Sequence, residues 1–169
     1  MSRTTLIKWR KVCTPVAVVA AVIGIMAVSP SPAESGDQIA LIVNKTSPVL
    51  ALTANDLKSI YLGEKERWPN GQKVTPVALS GPELKAFLKV VCGMSEPDYK
   101  KYFIQANFTG KTLVLPRIAT SAAAAKALVS STPGAIGFVR AADLDASVGT
   151  VRFNGSAPGD PGYKLTAAQ

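Results

Sequence analysis

Short apolar segments that alternate with helical patterns restrict the fold of this chain more than any other feature. Ile39–Val43 is an unbroken apolar run, which is typical of a strand buried on both faces. Thr53 then has the position of a helix N-cap, and Gly63 follows at the expected end of that helix. Residues 74–79 form a second apolar run after a turn. The order strand, helix, strand predicts an α/β layered domain.

The rest of the chain continues this pattern. Ser80 is predicted to cap the next helix, with Glu83 completing a capping box and Gly93 ending the helix. The other predicted elements are a helix that begins after Ser95, a helix at residues 121–129, and strands at residues 135–139 and 150–153. We therefore expect a mostly parallel or mixed central sheet that is flanked by helices.

Two polar segments follow the first two predicted strands, where α/β sheets commonly bind ligands. Thr46 and Ser47 lie in the first segment, either as turn residues before Pro48 or as hydroxyl donors to a ligand. Ser80 and Gly81 lie in the second. Ser80 is sufficiently explained as a helix cap, and the alternative is a contact with an anion.

The N-terminus has the pattern of a secretory signal. Four basic residues precede an uncharged, mostly apolar run at residues 12–28, and small residues follow up to Ala33. We predict a signal peptide at residues 1–33, cleaved after Ala33, and one domain at residues 34–169. An uncleaved N-terminal anchor is the alternative. Cleavage would leave 136 residues and lower the net charge from +8 to +4, because no acidic residue precedes Glu34.

Composition excludes several kinds of active site. The chain has no histidine, so catalytic triads that use an imidazole and metal sites that use one are excluded. Cys92 is the one cysteine left after cleavage, and its place at the end of an apolar helical pattern favours a buried structural thiol. We predict no enzyme activity, no metal and no cofactor. The basic residues are dispersed, so nucleic acid is not expected as a partner.

Three phrases resemble a known family. Residues 52–63, followed by Trp68, are similar to a segment of periplasmic phosphate-binding proteins, the substrate-binding proteins of phosphate ABC transporters. Pro-Gly-Ala-Ile-Gly-Phe-Val at residues 133–139 resembles a later strand of the same family, and residues 107–111 resemble a phrase of its short, single-lobe members. The resemblance implies one lobe of a type II periplasmic binding protein, exported to the periplasm.

The family implied by this resemblance holds its anion between two lobes. One lobe supplies Ser-Gly-Thr at a helix start, preceded by an arginine and an acidic residue. Ser80 and Gly81 match this motif, whereas Pro82 replaces the threonine and no arginine precedes the serine. Glu83 adds a negative charge that opposes a bound phosphate.

The expected function is therefore that of a periplasmic, solute-binding-like lobe that contacts phosphate or another small oxyanion weakly. Its expected sites are Ser80 and Gly81, with Thr46 and Ser47 as further candidates. A membrane transporter, a partner protein or a second copy would be its macromolecular partner. The alternative is an interaction or accessory module of a cell-envelope system that binds no ligand.

Overall fold

A six-stranded sheet forms the centre of the domain, in the order β2-β6-β1-β5-β3-β4. The computed structural model describes residues 37–110 and 113–167. The strands are β1 (Ile39–Val43), β2 (Ala51–Leu52), β3 (Thr75–Leu79), β4 (Arg117–Ala119), β5 (Ala135–Arg140) and β6 (Gly149–Phe153). Four of them confirm predicted strands. The short edge strands β2 and β4 were not predicted.

The strand directions decide which residues meet at each edge of the sheet. β3 is parallel to β4 and β5, so the carboxyl ends of these three strands lie together. β1 is antiparallel to β5 and β6, and Ile39 pairs with Arg140. The first residue of β1 therefore lies at that same edge, which we call the carboxyl edge, and the last residue of β1 lies at the opposite edge.

The helices pack on both faces of this sheet. They are α1 (Ala54–Tyr61), α2 (Pro82–Phe87), a π-helical turn (Leu88–Cys92) that continues α2, α3 (Glu96–Phe108) and α4 (Ala122–Ser131). The predicted N-caps Thr53 and Ser95 are confirmed, because their side chains accept hydrogen bonds from Asp56 N–H and Asp98 N–H. Gly93 ends the π-helical turn at φ 70°, as predicted for a left-handed stop.

The predicted cap of α2 is wrong. Gly81 is the N-cap and provides no side-chain hydrogen bond, while the Ser80 hydroxyl donates to the carbonyl of Ala119 at 3.1 Å. Glu83 does not complete a capping box, because its carboxylate pairs with Arg140. The Glu83 side chain therefore accepts a hydrogen bond from Arg140, which is distant in sequence, and not from the backbone at the start of its own helix.

The core lies on both faces of the sheet. One cluster contains Leu41 and packs against the helices α1 to α3, and the other contains Ile42 and packs against α4. On the first face Phe87 stacks on Phe138, with ring centroids 4.2 Å apart. Trp68 is buried in the turn before β3, and its indole N–H donates to the carbonyl of Gly134 at 2.9 Å.

The predicted signal peptide at residues 1–33 lies outside the described residues. Within the described ranges, no helix has the length and apolar character needed to cross a membrane.

Candidate functional site

The carboxyl edge brings together Ser80, Gly81, Glu83 and Arg140. Ser80 and Gly81 follow β3 directly, and Arg140 is the last residue of the parallel strand β5. The register places Thr75 opposite Ala135, so Ser80 lies level with Arg140. A turn with a hydroxyl and a backbone N–H therefore faces a guanidinium group.

Gly81 has a backbone conformation that favours glycine, with φ 121° and ψ −161°. A Cβ atom at this position would lie 3.0 Å from Oε2 of Glu83, so the carboxylate lies directly over the turn. Pro82 is the first helical residue and provides no N–H. The N–H groups of Gly81 and Glu83 have no protein acceptor within the described residues.

Glu83 and Arg140 form an ion pair at this edge. Arg140 Nε donates to Glu83 Oε1 at 2.6 Å, and the Glu83 side chain is only 12% exposed. The hydrogen bond from this guanidinium, together with the opposite charge of Glu83, raises the pKa of Arg140 above its ordinary value. The Glu83 carboxylate thus lies between a cation and the turn at Gly81.

Arg140 is the functional candidate that sequence reasoning missed. The family motif places an arginine just before the serine, and this chain has none there. The cation comes instead from a strand that is distant in sequence. The position of Arg140 at the end of an apolar strand could have indicated it. Parallel strands end at the same edge of a sheet, so a cation at the end of one strand lies near the residues that follow the others.

Thr46 and Ser47 lie at the other edge of the sheet. Asn44 is buried, and its Nδ2 donates to the carbonyls of Val129 at 3.0 Å and Ser130 at 2.7 Å near the end of α4. Thr46 donates to Asn44 Oδ1 from both its N–H and its hydroxyl. Ser47 Oγ accepts from Val49 N–H at 3.4 Å. These contacts are those of a turn that holds the end of α4.

The structure therefore brings Ser80 together with Gly81 but does not bring either of them near Thr46 or Ser47. The two segments lie at opposite edges because β1 is antiparallel to β5. The two edges are separated by a strand of five to six residues, roughly 17 Å. One small ion cannot contact both segments. A ligand contact at Thr46 or Ser47 stays a prediction.

Other chemically reactive groups are dispersed. Within residues 37–110 and 113–167 no three carboxylates or thiols are grouped so that they could hold a metal ion. Cys92 is buried as predicted, and this burial raises the pKa of its thiol to about 11. The thiol is therefore protonated at neutral pH and is not a nucleophile.

Comparison with known proteins gives the fold. No family model matches the chain. A Clostridium perfringens protein, assigned as a phosphate ABC transporter substrate-binding protein and solved with bound phosphate, matches with a TM-score of 0.62 and 26% identity, over 76% of this chain and 52% of that one. An ABC-type phosphate transport receptor from Vibrio cholerae matches with a TM-score of 0.52 and 22% identity, over 72% and 48%. PstS from Borrelia burgdorferi matches with a TM-score of 0.57 and 13% identity, over 72% and 49%.

The chain spans about half the length of these structures. It has the fold of a phosphate-binding protein over that half. The predicted fold class, a periplasmic-binding-protein-like lobe with a mixed central sheet flanked by helices, is confirmed.

Proposed function

We propose that this chain is an exported, solute-binding-like lobe that contacts phosphate or another small oxyanion weakly at its carboxyl edge. Gly81 and Arg140 would hold the anion, with Ser80 beside it. The fold of phosphate-binding proteins, one of them solved with phosphate, supports a binding role over an enzymatic one.

One observation carries this proposal: a negatively charged group, the Glu83 carboxylate, already lies between Arg140 and Gly81, where the anion is proposed to bind. Its Oε1 accepts from Arg140 Nε, and its Oε2 lies over Gly81. A guanidinium and backbone N–H groups are the donors that a tetrahedral oxyanion needs. An oxyanion that displaced this carboxylate would meet the same guanidinium, and it would lie beside the N–H groups of Gly81 and Glu83, which have no protein acceptor among the described residues.

The same geometry explains why the binding would be weak. Pro82 removes one N–H from the turn, and the Ser80 hydroxyl already donates to the carbonyl of Ala119. The carboxylate of Glu83 must also move away, and it repels the incoming charge. We therefore expect an affinity in the millimolar range, or on the order of −4 kcal/mol.

The proposal includes the location and the partners. Export follows from the basic and apolar pattern of residues 1–33 and fits transport receptors as structural neighbours. A membrane transporter, a partner protein or a second copy would present the other side of the ligand. The alternative, an interaction or accessory module without a ligand, is favoured by exposed apolar side chains on α3 and β4.

Calorimetric titration of phosphate into the chain from Glu34 onwards tests the binding role. We expect weak, saturable heat that falls as salt is added, because the contact is largely electrostatic. Arg140→Gln should abolish the heat. Arg152→Gln is the matched control, since Arg152 is an exposed arginine on β6, which is separated from β5 by β1. No heat at millimolar phosphate, or an equal loss in both variants, would remove the proposed site.

A further inference from the structure

Four exposed apolar side chains lie on one part of the surface. Ile104 is 57% exposed and Phe108 is 85% exposed, both on α3. Leu115 is 66% exposed in the segment that leads into β4, and Ile118 is 60% exposed on β4 itself. We call these four residues the α3–β4 surface. Leu50 is the other exposed large apolar residue among those described, and it lies in the segment before β2.

The four side chains belong to the same face of the domain. Ile104 and Phe108 are four residues apart on α3, so they lie on one side of that helix. Ile118 pairs with Ala78, whose side chain belongs to the core cluster beneath α1 to α3. Paired residues point to the same face of a sheet, so Ile118 points to the side on which α3 packs.

A groove crosses the α3–β4 surface. It has a volume of about 310 Å³ and lies between α3 and the segment before β4, with Phe103, Ile104, Leu113 and Leu115 in its walls. Val114 N–H donates to the carbonyl of Gly63 at 3.1 Å, which fixes the wall formed by that segment. A concave apolar groove of this size accommodates one or two side chains.

Two exposed cations, Lys101 and Arg117, flank the α3–β4 surface, and one carboxylate near it, Glu64, accepts a hydrogen bond from the Tyr102 hydroxyl of α3 at 3.3 Å. No acidic residue occurs between Asp98 and Asp143 in the sequence. Three of the cations in this stretch are paired with carboxylates: Lys100 with Glu96, Lys126 with Asp145 and Arg140 with Glu83. Lys101, one turn before Ile104, and Arg117, next to Ile118, have no ion-pair partner in the described part of the chain.

β4 is also the outermost strand on one side of the sheet, which is a different kind of edge from the carboxyl edge. It pairs with β3 on one side, and no described strand lies on its other side. An open edge offers backbone hydrogen bonds to an added strand. Hydrocarbon cannot provide these bonds, which argues against a lipid as the occupant. Two copies of this surface would bring Lys101 and Arg117 against cations of the same kind, which argues against a second copy.

We propose that the α3–β4 surface binds an extended segment of a partner protein in which apolar and acidic residues alternate. The segment would add a strand to β4 and place its apolar side chains on the α3 side of the sheet, in the groove beside Ile104 and Leu115. Its carboxylates would then point to the opposite face, against Arg117, because Arg117 pairs with Val77 and alternates with Ile118. This inference does not depend on oxyanion binding at the carboxyl edge.

Amide chemical shifts measured by NMR test the proposal. The probe is a capped peptide of about six residues that alternates valine and glutamate, long enough to cover an edge strand. We expect shifts at residues 104–108 and 113–119 at millimolar peptide. A peptide with lysine in place of glutamate should bind at least about tenfold more weakly, because it meets cations of its own sign.

Two variants make the test specific. Ile104→Ser combined with Leu115→Ser should weaken binding at least tenfold, whereas Leu50→Ser, an equally exposed apolar position elsewhere, should not change it. Absence of shifts, shifts centred on Leu50 and β2, or equal binding of the lysine peptide would overturn the proposal. Binding to phosphatidylglycerol vesicles without binding to the peptide would overturn it in favour of a lipid, and dimerisation through this surface would overturn it in favour of a second copy.

Discussion

Replacing Glu83 by glutamine is expected to tighten phosphate binding at the carboxyl edge. The side chain keeps its shape, and its amide oxygen can still accept the hydrogen bond from Arg140. The substitution removes the negative charge that lies over Gly81. Oε2 of Glu83 is 3.0 Å from the position that a Cβ atom at residue 81 would occupy. Because the Glu83 side chain is only 12% exposed, loss of its charge from the ion pair with Arg140 should also lower the free energy of unfolding, which urea denaturation measures.

The size of the effect follows from Coulomb's law. An anion at Gly81 would lie about 4 Å from the carboxylate, where two unit charges repel by about 1 kcal/mol in water and about 4 kcal/mol at a partly screened protein surface. These energies correspond to roughly fivefold and thousandfold changes in the dissociation constant. We therefore expect Glu83→Gln to lower the dissociation constant for phosphate at least about fivefold.

Calorimetry of both proteins at low salt measures this change. Glu96→Gln is the matched control, because Glu96 pairs with Lys100 on α3 and not with Arg140. It changes the net charge equally and should leave the affinity nearly unchanged. The reasoning is refuted if Glu83→Gln binds phosphate no more tightly than the unmodified protein, or if Glu96→Gln gives the same improvement.

Three further predictions concern the framework of the site. Asn44→Ala should lower the free energy of unfolding by about 2–4 kcal/mol, because it leaves two carbonyls near the end of α4 without their donor. The control is Asn70→Ala, at an exposed position, which should lower the free energy of unfolding by less than about 1 kcal/mol. Urea denaturation measures both values. A hydrogen bond from Lys65, and a weaker contribution from Thr53, hold the pKa of Asp56 at about 2. As the pH falls, the Asp56 carboxylate is therefore protonated at a higher pH in the unfolded chain than in the folded protein. The stabilisation that ionised Asp56 contributes is present above about pH 4 and is lost towards pH 2. The urea midpoint should fall less steeply over that range in Asp56→Asn, and an equal fall would contradict the assignment. Cys92 should not react with a thiol reagent at pH 8 until urea unfolds the protein; fast reaction of the folded protein would show that the thiol is accessible.

Local sequence signals predicted most of the fold. The apolar run of β1, the N-caps Thr53 and Ser95 and the stop at Gly93 depend on residues close in the chain, and all of them are confirmed. β2 and β4 have only two and three residues, which is too short for an apolar pattern to show. They are strands because neighbouring strands pair with them.

The candidate site depended on contacts that local patterns do not contain. Ser80 and Glu83 have the spacing of a capping box, yet their partners, Ala119 and Arg140, lie 39 and 57 residues away. The direction of β1 is likewise set by its pairing with β5, and this direction separates Thr46 from Ser80. Strand direction is a tertiary property, so a sequence that predicts the strands does not by itself predict which of their ends meet.

The helical pattern of α3 was predicted in part. The helical spacing predicts a buried stripe of Tyr99, Tyr102, Phe103 and Ala106. Tyr99 and Ala106 are buried, whereas Tyr102 and Phe103 are only partly buried. Helical spacing indicates which residues share a face, but not how far a neighbouring element covers that face. The exposed end of this helix is therefore visible only in the structure.

Amide chemical shifts during a phosphate titration test the central claim most directly, because they locate the anion as well as detect it. If the carboxyl edge binds the oxyanion, the amides of Gly81 and Glu83 should shift with a common millimolar dissociation constant, and those of Thr46 and Ser47 should not. Shifts centred on Thr46 and Ser47, or no shift at millimolar phosphate, would contradict this assignment.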